Sequence, residues 1–311
     1  MAPGTVPKSF GDRLFFVVTA CAAALVLALL VVLVLRLTQY AWPAISRFGL
    51  RFLVDGRWDI GAEQFGAASS IYGTLITTLI AMLIAAPLGV ASAMFLVEMA
   101  PSWLSGSVGV ALELLAAVPS IIYGMWGLFI FAPFMANYVQ PTLAGWLGFL
   151  PLFQGPKMGL GVLTAGIILA LMILPFITAV SRDVFRLVPP VMKESAYGVG
   201  ATTWEVTRDV SLRYGVAGIA GALFLGLGRA LGETMAVTFV IGNNHALSAS
   251  LFDAGNTIAS TLANEFAEAD SDLHRAALVE LGLVLFGMTL VFQLLAQLWL
   301  RRVRKSMGSR R

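Results

Sequence analysis

The amino-acid sequence predicts an all-α polytopic membrane protein with six transmembrane helices, and three observations carry that prediction. Of its 311 residues, 59% are hydrophobic and 12% charged, against roughly 45–50% and 25% in ordinary soluble domains. So few charges cannot cover a water-soluble surface of this size. Six stretches are uncharged, or interrupted by isolated charges, over the roughly 20 residues that a helix needs to cross a hydrocarbon core of about 30 Å. Finally, the first three-quarters of the chain holds no polar stretch long enough for a packed soluble core. A mean hydropathy of +0.87 excludes disordered, collagen-like, coiled-coil and nucleic-acid-binding classes. One cysteine, Cys21, cannot close an internal disulfide, and two histidines, His245 and His274, cannot build a structural zinc site.

The spans are expected at about 14–37, 70–97, 107–135, 158–181, 215–241 and 276–300, joined by short loops. The first grows from the uncharged run Leu14–Leu35. Val18-Thr19-Ala20-Cys21 loosely resembles a lipid-modified cleavage site, but the run exceeds the 7–15 apolar residues of a signal peptide, so the span is expected to remain as an anchor. The third is interrupted by Glu113, six residues before Pro119, which can cap a freed backbone group or pair with a neighbouring helix. The fifth contains Arg229 and Glu233. The sixth contains Glu280, one turn inside, where snorkelling to the surface is expected.

Orientation follows from the basic residues of the loops. With the N-terminus (1–13) inside, the cytoplasmic segments hold 13 of the 20 Lys and Arg residues, six of them in the basic tail 301–311, and the outer segments hold six. Both termini are therefore expected in the cytoplasm. Four arginines between the first two spans, Arg36, Arg47, Arg51 and Arg57, run against this count. The outer stretch Asn137–Lys157, rich in aromatic residues and proline, reads as an interfacial, partly re-entrant loop. Asn243–His274 ends in acidic residues that either dock a partner or are simply solvated, and its two histidines read as loop residues.

The cytoplasmic loop 182–214 encodes two short helices. Pro189-Pro190 suits a helix start, Val191–Val199 can run as one helix, and Gly200 breaks it. Thr202 and Glu205 then have capping-box spacing, opening a second arm over Trp204–Leu212. Such a helix–Gly–helix elbow is either an ordinary connector or a rigid lever rooted in two spans.

In the fifth span a mid-bilayer arginine costs on the order of 2.5–3.5 kcal/mol. Glu233, at i+4 from Arg229, can share that cost by pairing with it, although Arg before Glu is the weaker order. Gly228 and Gly232 have GxxxG spacing for close helix packing. The pair is either structural, buried between helices, or faces a translocation path. A guanidinium suits an oxyanion geometrically, with Glu233 as its counter-ion, but this does not distinguish phosphate from sulfate or carboxylate.

Longer strings narrow the choice. Glu194-Ser195-Ala196, with Gly200 six positions after the glutamate, then Val210 and Leu212, resembles the EAA loop of ABC-importer permeases. Ser195 replaces the first alanine of that pattern and Arg213 its usual proline. The strings Gly228–Asn243, Glu113–Phe134 and Lys193–Glu205 resemble the phosphate-specific ABC transporter permeases of the PstC type, and the similarity extends from about Ser46 to Leu285. The resemblance implies a MetI-like permease fold in a bacterial inner membrane. It also implies three kinds of partner besides the lipid bilayer: a homologous second permease of the PstA type, two ATPase subunits of the PstB type and a periplasmic phosphate-binding protein of the PstS type. Glu194, Ser195, Ala196, Gly200, Thr202 and Glu205 would couple to the ATPase, and Arg229 and Glu233 would be path-lining candidates. No cofactor or metal is expected on this subunit, with ATP and magnesium held by the partner ATPase.

The sequence has no P-loop, nucleophile elbow, S-x-x-K dyad or H-E-x-x-H, so this chain is not expected to be catalytic. Two alternatives remain open: a permease for another oxyanion, or an ion-coupled carrier using the Arg229 and Glu233 pair. A carrier would show two similar halves, and no convincing internal repeat is visible.

Overall fold

The computed structural model describes residues 10–308, with side chains to residue 302. Most of the expected N-terminal segment 1–13, and the end of the basic tail 301–311, lie outside the described residues. Six helices are long and apolar enough to cross a membrane.

The chain opens with α1 (Phe10–Phe48), which runs on through Pro43 and buries only Ala41 and Ala44. A short 3-10 turn, Gly49–Leu53, leads into a two-residue hairpin of β1 (Trp58–Asp59) and β2 (Gln64–Phe65). Next come α2 (Ala68–Glu98), α3 (Ser102–Ala116) and α4 (Ser120–Leu147). The rest of the chain forms α5 (Val162–Arg186), α6 (Pro190–Gly198), α7 (Thr203–Leu231), α8 (Met235–Val240), α9 (Ile258–Glu265) and α10 (Asp272–Gly308).

The centre of the fold is the pairing of α2 with α5. Lipid is as apolar as leucine, so helices associate in a membrane by close contact rather than by escape from water. Accordingly, α2 buries a stripe of small residues that includes Thr74, Thr77, Thr78, Ala81, Ala85, Gly89 and Ala93. A Cβ on Gly89 would meet Ile177 of α5, and one on Gly166 of α5 would meet Ile80 of α2. Helix α7 joins the same core through Gly218, which lies against Val184, and Gly226, which lies against Ile177.

The observed helices differ from the expected spans at their ends: the fourth runs from Val162 to Arg186 rather than 158 to 181, and the fifth from Thr203 to Leu231 rather than 215 to 241. The first runs from residue 10 to 48 rather than 14 to 37, and the sixth begins at Asp272 and continues into the tail. The third crossing is built in two pieces. Gly109 of α3 lies against Arg182, Gly127 of α4 against Ile168, and Gly159 beside Ala132, so α3 and α4 together run antiparallel to α5. The interruption falls at Ala117–Pro119, not at Glu113. Glu113 instead accepts a 2.6 Å hydrogen bond from Arg182, whose side chain is buried. The stretch expected as a partly re-entrant outer loop carries α4 on to Leu147. Within α4, Gly127–Phe131 and Met135–Val139 form wider, π-helical turns.

Candidate functional site

The breaks in the third and fifth crossings meet. Proline denies an N–H to the backbone at the α3–α4 junction, and the Leu115 carbonyl there accepts the Val118 N–H at 3.2 Å and the Tyr123 hydroxyl at 3.0 Å. In the fifth crossing α7 ends at Leu231, Gly232 caps it, and the chain restarts as α8 at Met235. Glu233 Oε1 accepts the Ala236 N–H at 3.1 Å, closing the start of α8. Helix α8 packs on α4 at its beginning, where Gly124 lies against Phe239 and the Ala236 backbone. Irregular backbone at membrane depth is tolerated only where protein or a polar cavity surrounds it, and discontinuous helices mark the substrate sites of many transporters.

Arg229 occupies the last turn of α7, where its charge complements the carbonyl end of the helix. Its side chain is exposed and lies over the Phe176 ring, 5.9 Å from the centroid. Phe176 is near the middle of α5, so the guanidinium sits at mid-membrane. Its charge also reaches Tyr123. The expected ion pair with Glu233 is absent among the described residues: i and i+4 share a face only on a continuous helix, and the break at Gly232 removes that register. The GxxxG pair does not act as a unit either. Gly228 faces Gln293 of α10, whereas a Cβ on Gly232 would meet only its own turn.

The elbow takes shape around Gly200, whose φ of +90° is accessible to glycine and strained for most other residues. Thr202 Oγ1 accepts the Glu205 N–H, and Glu205 Oε2 accepts the Thr202 N–H at 2.8 Å, so both halves of a capping box open α7. The second arm then continues without a break into the fifth crossing. Arg213 lies within it, paired to Asp209 at 3.0 Å. Glu194 and Ser195 are exposed and Ala196 is half-buried, and the tip also exposes Val191, Val199 and Trp204. Lys193 reaches back to Glu98 at the end of α2, 2.7 Å away.

A cluster on the opposite side of the membrane is invisible in the local sequence. Glu265, at the end of α9, accepts hydrogen bonds from Trp58 Nε1 at 2.7 Å, His245 Nε2 at 2.8 Å and His274 Nε2 at 3.0 Å. Trp58 stacks on His245, and Phe65 on His274. Asn256 joins His245 to Ser70 of α2. Burial raises the Glu265 carboxyl, but the hydrogen bonds from His245, Trp58 and His274 outweigh it and hold the group below the usual carboxylate range. His245 is a loop residue as expected, whereas His274 lies in the first turn of α10, and both are parts of a clasp joining four segments. Glu280 also departs from expectation: it is buried rather than snorkelling, and its Oε2 has no hydrogen-bond partner among the described residues.

A bundle with two interrupted crossings and a helix–Gly–helix elbow between two spans is the architecture of the membrane-spanning subunits of ABC importers. The family model for the binding-protein-dependent transport system inner membrane component matches residues 85–305. Among solved structures, a bacterial alginate ABC transporter aligns over 94% of this chain and 95% of its own, at 17% identity and a TM-score of 0.62. The MetNI methionine ABC transporter aligns over 75% and 94%, at 16% identity and a TM-score of 0.58; both likenesses concern the fold.

Full-length sequence relatives are more specific. The phosphate transport system permease protein PstC of Mesorhizobium japonicum is 51% identical over 96% of this chain and 92% of its own. That of Haemophilus influenzae is 49% identical over 96% and 95%, and the probable PstC of Methanocaldococcus jannaschii is 37% identical over 93% and 94%. The chain belongs to the PstC family of ABC-importer permeases: a multi-pass, non-catalytic membrane subunit that works with other subunits.

Proposed function

We propose that this chain forms half of the path by which an ATP-driven importer carries inorganic phosphate across the bacterial inner membrane. The observation that carries the reading is the exposed, mid-membrane guanidinium of Arg229 at the broken end of α7. An arginine facing lipid at that depth would be costly, so the open face of this chain is turned toward a polar path and a second subunit. The planar fork of donors suits a tetrahedral oxyanion, and the names of the PstC relatives support phosphate in particular.

In this reading the second subunit is a PstA-type permease, and two PstB-type ATPases beneath the pair hold ATP and magnesium. A PstS-type binding protein delivers phosphate at the outer face. Both termini and the elbow lie in the cytoplasm, and Glu194, Ser195, Ala196, Gly200, Thr202 and Glu205 belong to the lever that an ATPase moves. Exposed Val191, Val199 and Trp204 on its tip give an ATPase cleft an apolar surface to hold.

Phosphate uptake by the co-expressed complex, with and without ATP depletion, tests the proposal. Uptake should need all subunits and ATP, and Arg229→Gln should lower it at least tenfold while the subunits still co-purify. Uptake by this chain alone on a proton gradient, or full uptake by the Arg229→Gln complex, would overturn it.

A further inference from the structure

Three of the four arginines that run against the positive-inside count are brought together by the fold. Arg47, at the end of α1, Arg51, in the following 3-10 turn, and Arg57, before β1, line one pocket of about 400 Å³. Its acidic members are already engaged: Glu63 pairs with Arg47 at 3.5 Å, and Asp55 accepts the Arg57 backbone N–H at 2.9 Å. The side chains of Arg51 and Arg57 have no ion pair among the described residues, and with three arginines against Asp55 and Glu63 the pocket keeps a net positive charge. Tyr40 and Trp42, exposed on α1 just before it, are the aromatic residues that settle at a membrane–water interface. The pocket thus lies at headgroup depth.

The same turn borders an apolar groove. Ile45 and Leu53 flank the arginine segment and, with Leu75, Val284 and Gly287 of α2 and α10, line a groove of about 610 Å³. Glu280 lies in this groove, nine-tenths buried and with Oε2 unpartnered. Cationic donors at headgroup depth beside an apolar channel, with a polar atom inside it awaiting a donor, form an amphipathic site.

We propose that this corner of α1, α2 and α10 binds one anionic phospholipid. Its phosphate sits against Arg51 and Arg57, and an acyl chain lies along the groove. A hydroxyl-bearing headgroup such as phosphatidylglycerol supplies the donor that Glu280 lacks. A pocket of this volume suits a small ligand, whereas a docked protein would need roughly 800 Å² of surface. The arginines on the outer side are then explained by the ligand they hold rather than by the topology count.

The test is retention of lipid by the complete transport complex, transferred from vesicles of phosphatidylglycerol or phosphatidylcholine into detergent and weighed by native mass spectrometry. The expected result is one phosphatidylglycerol retained per complex and no phosphatidylcholine. The variant Arg51→Gln/Arg57→Gln should weaken retention about tenfold or more, since each basic group near an anionic lipid contributes about 1 kcal/mol, and Arg51→Lys/Arg57→Lys should restore most of it. Gly287→Phe, built into open space on α10, should reduce retention by filling the groove while leaving the arginines in place. Equal retention of the two lipids, full retention by the glutamine variant, displacement by millimolar inorganic phosphate, or a second permease found cross-linked to Leu53→Cys would each overturn the proposal.

Discussion

The ammonium of Lys193 lies 2.7 Å from Glu98 Oε1, fastening the elbow helix α6 to the C-terminal end of α2. Helix α6 buries no residue of its own, and Glu98 is only 5% exposed, so this charged link ties a surface lever to the helix at the centre of the bundle. Removing one partner leaves a buried charge uncompensated, at a cost on the order of 3 kcal/mol. In reconstituted complexes, Lys193→Met should leave ATP hydrolysis running while lowering the phosphate moved per ATP. The reciprocal exchange Lys193→Glu with Glu98→Lys should restore coupling. Unchanged stoichiometry in Lys193→Met would reduce the pair to a local brace.

Gly200 breaks the elbow through its backbone angle, not its size. A Cβ there would meet nothing within 4 Å, while φ is +90°. Alanine should therefore be harmful despite its small volume, destabilising the bend by about 1 kcal/mol or more, and asparagine should be better tolerated. Complex assembly and uptake in the order Gly, Asn, Ala, Val would support this; equal activity of the alanine variant would refute it.

Much of this was legible from residue order alone. Hydropathy located the six crossings because lipid contact demands long apolar runs, and Thr202 with Glu205 marked a helix start because capping chemistry is local. The Arg229 and Glu233 pairing was misread for a physical reason: spacing implies a shared face only while the helix continues, and Gly232 ends it. A glycine just past a helical run is a C-cap signal, so that break was visible, although hydropathy favours an unbroken span. The Glu265 clasp had no local trace, since Trp58 and Glu265 lie 207 positions apart and meet only through folding.

The break also changes what is expected of Glu233. Its Oε1 accepts the Ala236 N–H, a role that glutamine can fill without charge. Glu233→Gln should therefore preserve assembly and the start of α8, and Glu233→Ala should lose about 1 kcal/mol of capping. Phosphate uptake then separates two roles. Normal uptake by the glutamine variant assigns Glu233 to capping alone, and a fall matching that of Arg229→Gln assigns its charge to the path.

Glu265 makes the clasp with Trp58, His245 and His274 sensitive to acid, with a definite sign. Its carboxyl is held below the ordinary value of 4.5 in the folded protein, so the folded state favours the charged form. That contribution to stability is present above about 4.5 and is lost as pH falls through the lower, folded value. Glu265→Gln removes it at every pH. It also presents an amide with a single acceptor oxygen to three donors, Trp58, His245 and His274, leaving at least one unpaired at a cost of about 1–3 kcal/mol. Thermal unfolding of the purified complex should therefore show the variant melting below the wild type at pH 7, with the gap narrowing only as pH falls below about 4.5. A gap that stays constant with pH would mean that the clasp holds through packing of its stacked rings, not through the carboxylate.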